Sequence, residues 1–364
     1  MRPDPRLQSG PPQLLHDICS SASLTRGTTS LAQLPLYRPN SPAYGFVQLG
    51  LELESTTTDL GPIRLEKATC PGKEDRRLSR NNAEIKPIRE VDLPAVCAFL
   101  HRIDPNRSPE NWRKVLTPDW LDAGDDFGQM IVAGDAVKGA ICTLRSRRRY
   151  GENIRDSRNL TSWYVDLDEG RGLGVQLLRT AVSDSDAVYA THSPEPRTIK
   201  VFLRIGFQSI DTTEWIIPNL PRGRRGAFSE IEDIDKHLSG DALENFRAHS
   251  DMPSVGHVGL LGPDNAFCHI AFIRSRWHRI PVARIVYASD YTLLERCLPA
   301  FSHLALRRFG FPLMAVEKRR YAERPPWAIA ERRKEPILYR GTGVVPGQID
   351  GLFTEVVTFA PNLR

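Results

Sequence analysis

The sequence has little of what usually announces a chemistry outright. Its six cysteines, at positions 19, 70, 97, 142, 268 and 297, form no C-x-x-C pair and lie far apart. That spacing supplies neither a zinc site nor a disulfide framework. Cys97, Cys142 and Cys268 sit in apolar runs, so buried free thiols are expected, as in a reducing compartment. No run approaches the roughly 18 apolar residues of a membrane helix. The opening residues MRPDPRLQSGPPQLLHDICS carry prolines and acids where a signal peptide has its apolar core. A cytoplasmic protein that spans no membrane is the expectation. The dinucleotide fingerprint G-x-G-x-x-G and the P-loop with its Lys-Ser/Thr pair are both missing, which argues against nicotinamide binding and nucleotide hydrolysis. Lys and Arg number 49 against 44 Asp and Glu, a net charge of +5. Without interleaved aromatic platforms, that excess does not point to nucleic acid. No Ser-His-Asp spacing can be defended, so hydrolase chemistry is left without residues.

With 364 residues, 40% of them hydrophobic, the chain can bury two ordinary domain cores. Residues 1–82 are rich in Pro, Ser, Thr and Gly with only brief apolar pieces, and are expected to be mostly disordered. Residues 83–220 and 226–364 are expected to form two domains, separated by the Pro/Arg-rich IPNLPRGRRG.

The informative stretch is 163–207. TSWYVDL at 161–167 reads as a buried strand. Gly170, Gly172 and Gly174 then alternate through a turn, and Leu173, Leu177, Leu178, Ala181 and Val182 follow at helical spacing. A helix therefore opens inside the glycines, presenting unpaired N–H groups and the positive end of its dipole. An anion site is one reading. A tight strand-to-helix turn in which the glycines serve only the backbone is the other.

The segment resembles the GNAT acyltransferase superfamily, whose pyrophosphate loop reads R/Q-x-x-G-x-G/A. Gly172-Leu173-Gly174 match the G-x-G, while Glu169 stands where the family has Arg or Gln, with Arg171 nearby as another cation. VFLRIGF at 201–207 is similar to the end of the family's Asn-x-x-Ala-x-x-Leu-Tyr-x-x-x-Gly-Phe helix. Phe202 falls at the Tyr that serves many members as acid, and Glu195 at the Asn. The resemblance implies a mixed α/β (α+β) fold, a twisted sheet flanked by helices. It also implies that Trp163, Tyr164, Val165, Glu169, Gly170, Arg171, Gly172, Leu173, Gly174, Val175 and Phe202 line the site of acetyl-CoA or another acyl-CoA, with no metal.

The order of elements before the signature agrees with that fold. IKPIREVDLPAVCAFLHRI at 85–103 predicts a strand and then a helix with Asp92 as N-cap and Pro94 in its first turn. A helix over 109–116 and a hairpin from 127–134 and 136–144 follow. RSRRRYGENIRDSRN at 145–159 reads as a loop, either a solvated connection or a lip attracting phosphates.

The C-terminal third repeats this order. FSEIEDIDKHL and ALENFRAH predict helices, with strands at 255–261, 267–274 and 281–288, a long helix stopped at Gly310, and the strand PLMAVE. A second GNAT-like domain or an unrelated α+β domain would fit. Ala288-Ser289-Asp290 replaces the glycine turn there, and a carboxylate would repel phosphate.

If the resemblance holds, an acyl group passes directly from acyl-CoA to an amine or hydroxyl of a small-molecule or peptide acceptor. A backbone N–H near 163–165 would polarise the thioester carbonyl. His192 is a candidate base, or a histidine that hydrogen-bonds at a strand end. Tyr164 is a candidate acid or a core ring. His257 and His269 line an acceptor side, unless strand alternation makes one of them a sheet-face residue. The rival from another class is a non-catalytic module that binds acyl-CoA or a protein partner, favoured by Glu169 and Phe202. A transferase acting on aminoacyl-tRNA would want a broader basic surface.

Overall fold

The structure is a computed structural model that describes residues 83–121, 126–166, 172–221 and 227–363. The expected disorder of 1–82 and the turn residues Glu169, Gly170 and Arg171 lie outside the described residues.

In chain order the first half contains β1 (Ala83–Pro87), α1 (Leu93–Ile103), α2 (Pro109–Leu116), β2 (Gly128–Ala133), β3 (Ala136–Tyr150), β4 (Asn153–Val165), α3 (Leu173–Ala181), β5 (Val188–Thr191), α4 (Ile199–Arg204) and β6 (Gln208–Ile210). The second contains β7 (Thr213–Pro218), β8 (Ser229–Ile231), α5 (Gly240–His249), β9 (Val255–Leu261), β10 (Phe267–Trp277), β11 (Ile280–Ala288), α6 (Tyr291–Arg307), β12 (Leu313–Glu317), β13 (Ile329–Arg332), β14 (Ile337–Arg340) and α7 (Glu355–Thr358).

Two seven-stranded mixed sheets result, ordered β1-β2-β3-β4-β5-β14-β6 and β8-β9-β10-β11-β12-β7-β13. In each, the pairing is antiparallel except at one parallel step, β4 with β5 and β11 with β12. The sheets are therefore two copies of one pattern, with a reciprocal exchange. β7 follows the first sheet in sequence yet sits between β12 and β13 of the second, while β14 crosses back between β5 and β6. Neither half of the chain builds its own sheet, so a boundary at 220–226 divides the sequence but not the hydrogen bonding.

Helices cover the first sheet on both faces. Leu93, Val96 and Leu100 of α1 and Trp112 of α2 pack with Met130, Ala140 and Cys142. Leu177 and Leu178 of α3 and Phe202 of α4 pack with Ile131, Ile141, Leu160 and Leu338. Phe301 of α6 meets Phe272 at 5.5 Å between ring centres in the second core. The other face of the second sheet is covered by the C-terminal segment through Leu352, Phe353 and Val357, together with Trp120 of the first half. Cys97, Cys142, Cys268 and Cys297 are free and buried.

Three local expectations are corrected. Residues 145–159 are not a loop: they are the far arms of the β3–β4 hairpin, paired from Arg145↔Arg158 to Tyr150↔Asn153. The run reads as a loop because it is charged, but its arginines are matched by carboxylates, Arg145 with Asp126 and Asp156, and Arg158 with Asp156 and Asp184. Charge pairing across a hairpin takes the place of apolar alternation. Asp92 does not cap α1 with its side chain; it accepts from the Arg89 amide at 2.9 Å across a preceding 3-10 turn. FSEIEDIDKHL is strand β8 and a 3-10 turn at Ile234–His237, because edge pairing with β9 outweighs its weak helical period.

Candidate functional site

The parallel step opens a fork in the first sheet. β4 pairs with β5 only from Ser157 to Asn159, although β4 runs on to Val165. Within that diverging stretch Cys142 faces Thr161 and Ala140 faces Tyr164, so Ser162 and Trp163 share Ile141 as their opposite residue. This is a β-bulge, and Ser162 adopts a φ of 52° in it. A bulge re-aims backbone groups that a regular ladder would consume.

At the wide end of the fork stands the N-terminus of α3. Gly172 is its N-cap, with a φ of 89° and no side-chain cap. A side chain would be strained there. Among the described residues no acid stands in the first turn of α3, whose leading amides point out of the helix. Leu173 and Val175 are partly buried against the core beside Trp163 and Val165. Gly174 is buried, and a Cβ on it would sit 3.4 Å from Val165 and 3.9 Å from Trp163.

Phe202 is buried, edge-on to Trp163 at 5.5 Å and to Phe207 at 5.0 Å. It is part of the wall and brings no proton. Tyr164 is half-buried against the α1–α2 core, and burial raises its hydroxyl pKa. That agrees with the core-ring reading.

His192 follows β5 on the other prong but is poorly suited to be a base. It is 2% exposed, and burial, then Arg333, pushes its pKa down to about 3. Its carbonyl accepts from Arg333 at 3.2 Å, and its Nε2 is buried without a partner. The strand-end hydrogen-bonding reading describes its backbone.

Glu355 is the residue that sequence reasoning missed. It comes from α7 near the end of the chain, is 2% exposed, and bridges the prongs where they part. Its Oε1 accepts from the amides of His192 (2.9 Å) and Ser193 (3.0 Å) and from the Ser193 hydroxyl (2.9 Å). Its Oε2 accepts from Nδ2 of Asn159, the last β4 residue paired with β5. Burial raises its pKa against those donors. A lone acid inside the apolar run LFTEVVTF was the available signal.

The second fork is closed by the chain itself. β11 pairs with β12 only from Val282 to Arg284, and its bulge leaves Val286 without an opposite residue. The Val286 carbonyl accepts from the Gly351 amide at 3.2 Å. At the helix end, Asp290 Oδ1 accepts from the Thr292 (2.8 Å) and Leu293 (3.0 Å) amides, filling the place an anion would take. His257 and His269 both lie on one face of the second sheet. Their rings stack 5.2 Å apart, with Nδ1 of His257 3.0 Å from Nε2 of His269. They touch Phe246 and Tyr287 rather than the first fork.

Among the described residues there is no group of His, Cys, Asp and Glu that could hold a metal, and no helix long and apolar enough to cross a membrane. No protein-family model matches the chain, and no curated protein matches it. Solved structures are similar to it. A GCN5-related N-acetyltransferase from Anabaena variabilis is 11% identical over 71% of this chain and 72% of that one, with a TM-score of 0.49. A GCN5-related N-acetyltransferase from Kribbella flavida is 15% identical over 72% and 71%, with a TM-score of 0.46. A tandem GNAT protein from the clavulanic acid biosynthesis pathway is 11% identical over 71% and 98%, with a TM-score of 0.43. Seven strands with one parallel step, a fork and bulge at that step, and a helix rising from it are all present twice in this chain.

Proposed function

We propose that the protein is an acyltransferase that moves an acyl group, acetyl being the simplest, from acyl-CoA to an amine or hydroxyl of its acceptor. The observation that carries this reading is the fork between β4 and β5, bulged at Ser162 and leading to the N-terminus of α3 at Gly172. Pyrophosphate would lie at Gly172 and the following amides, with the pantetheine strung along β4 beside Trp163, Tyr164 and Val165. The thioester carbonyl would then meet the bulged backbone, where an N–H donor stabilises the oxyanion of a tetrahedral intermediate. The second copy would shape the acceptor side, since its own fork is filled by Gly351 and its helix end by Asp290. Arg145, Arg148, Arg149 and Arg158 of the β3–β4 hairpin, being paired with carboxylates, would add little to phosphate attraction.

A second reading, a module that binds acyl-CoA without turning it over, is favoured by Phe202 in place of an acidic hydroxyl. Titrating the full chain with acetyl-CoA and longer acyl-CoAs while following thermal unfolding tests both, because a ligand of the native state raises the midpoint. A rise is expected with acetyl-CoA; no rise with any CoA species would remove both readings. Thiol release from the bound thioester separates transferase from binding module.

A further inference from the structure

The fork holds two unusual groups that the site above does not use: a fully buried carboxylate, and beside it an amide oxygen, Asn159 Oδ1, that is buried with no partner. Resting on the acyl-transfer reading, we propose that Glu355, carried in by the C-terminal segment, takes the proton of the acceptor and returns it to the departing thiolate.

The geometry gives the two carboxylate oxygens different tasks. Oε1 is held by three donors from His192 and Ser193 and fixes the direction of the group. Oε2 has only Asn159 Nδ2 and keeps a lone pair for a proton. Asn159 suits either state of that oxygen. Its Nδ2–H donates to the carboxylate, and with the amide turned over its idle Oδ1 accepts from the carboxylic acid. The pair stands at the floor of the fork, where the pairing of β4 with β5 stops, so an acyl chain laid along β4 would point its thioester end toward it.

In the step itself the acceptor nitrogen or oxygen attacks the thioester carbon and its N–H or O–H proton passes to Glu355 Oε2. The new C–N or C–O bond forms, the C–S bond breaks with its electron pair on sulfur, and the proton moves from Glu355 to that sulfur, releasing free CoA thiol. One carboxyl then does the work of both base and acid, which accounts for a wall of Phe202 where a hydroxyl acid would otherwise be needed. Burial raises the carboxyl's pKa against its hydrogen-bond donors, which favours its taking up a proton. His192, its titratable neighbour, is held neutral.

The test compares the full wild-type chain with Glu355→Gln, which keeps the shape and can bond both Asn159 and the His192–Ser193 amides. Acetyl-CoA is the donor, with water or benzylamine as acceptor, and released thiol is the readout. The expected result is an unchanged thermal shift with acetyl-CoA, a fall in kcat of roughly 10²–10⁴-fold, and loss of the acid limb of the pH–rate profile. Wild-type rates and an unaltered profile in Glu355→Gln would overturn the proposal and leave acyl transfer standing. A wild-type chain that binds acetyl-CoA but releases no thiol would overturn it in favour of the binding module. No binding at all would remove it together with the acyl-transfer reading.

Discussion

Arg148 on β3 and Asp350 in the C-terminal segment form a two-point ion pair, with Nη1 to Oδ1 at 3.0 Å and Nη2 to Oδ2 at 2.5 Å. The pair is largely shielded from solvent and joins residues 202 positions apart. Five residues on stands Glu355, so the pair anchors the segment that closes the floor of the fork.

Asp350→Asn should destabilise the protein by about 3–5 kcal/mol, since it strands the Arg148 guanidinium in a buried place. Burial alone would raise the Asp350 pKa, but Arg148 outweighs it and holds the carboxyl below its usual range. Its stabilising contribution is therefore complete above the unfolded pKa and is lost as pH falls through the folded one. Urea unfolding of wild type and variant at pH 7 and at pH 3 checks this: the gap between them should narrow at the lower pH.

A second pH dependence comes from histidines buried in the neutral form. Burial pushes His249 down to about 4 and His269 to about 3, from 6.5. The unfolded chain takes up these protons first, so stability is full above about pH 6.5 and falls as pH drops toward the folded values. His249 Nε2 accepts from the Phe353 amide at 3.2 Å, and its ring stacks on Trp120 at 4.8 Å. Replacing it by Gln should flatten the slope between pH 6.5 and 4 by about 1.4 kcal/mol per pH unit. Unfolding free energies across that range would expose an unchanged slope.

At the fork mouth, two substitutions of Gly172 separate backbone from ligand. Gly172→Ala should cost about 1 kcal/mol because of the positive φ, while keeping the thermal shift with acetyl-CoA. Gly172→Asp should abolish that shift by placing a carboxylate where phosphate would sit. An intact shift in the aspartate variant would show that the pyrophosphate lies elsewhere.

In the second copy, Asp290→Ala should cost about 1 kcal/mol through loss of the α6 cap. It should leave acyl-CoA binding unaltered, because the Gly351–Val286 contact still fills that fork. A second binding event in isothermal titration of this variant would contradict the assignment of one site per chain.

The strand exchange makes a prediction about fragments. A piece ending at 220 lacks β14 and leaves β5 and β6 unpaired with each other, so it should not fold alone. Co-expression with a piece starting at 221 should restore cooperative unfolding and co-purification. Independent folding of 83–220 would show that β14 is dispensable to the first sheet.

Much of the element pattern was legible in the chain. The apolar runs of β2, β9, β11 and β12 and the spacing of Leu173, Leu177 and Leu178 reflect local periodicity, and Gly172 marks a turn by conformational need. Where charge replaced apolar alternation, as in 145–159, the pattern misled, because the carboxylates that match its arginines come partly from across the hairpin, as Asp156, and partly from other segments, as Asp126 and Asp184. Glu355 shows in the sequence only as a lone acid in an apolar run, because its donors Asn159, His192 and Ser193 lie more than 160 positions away.

Local sequence thus determined which segments become strands and helices, the glycine turn that opens α3, and the repetition of one order of elements, since each depends on residues within a turn or two of one another. Only the tertiary structure decided that β7 and β14 trade sheets, that one fork is plugged by Gly351 and Asp290, and that a carboxylate from the C-terminal segment stands in the other. Those outcomes depend on burial and hydrogen bonding between distant segments, and such contacts leave no periodic trace along the chain.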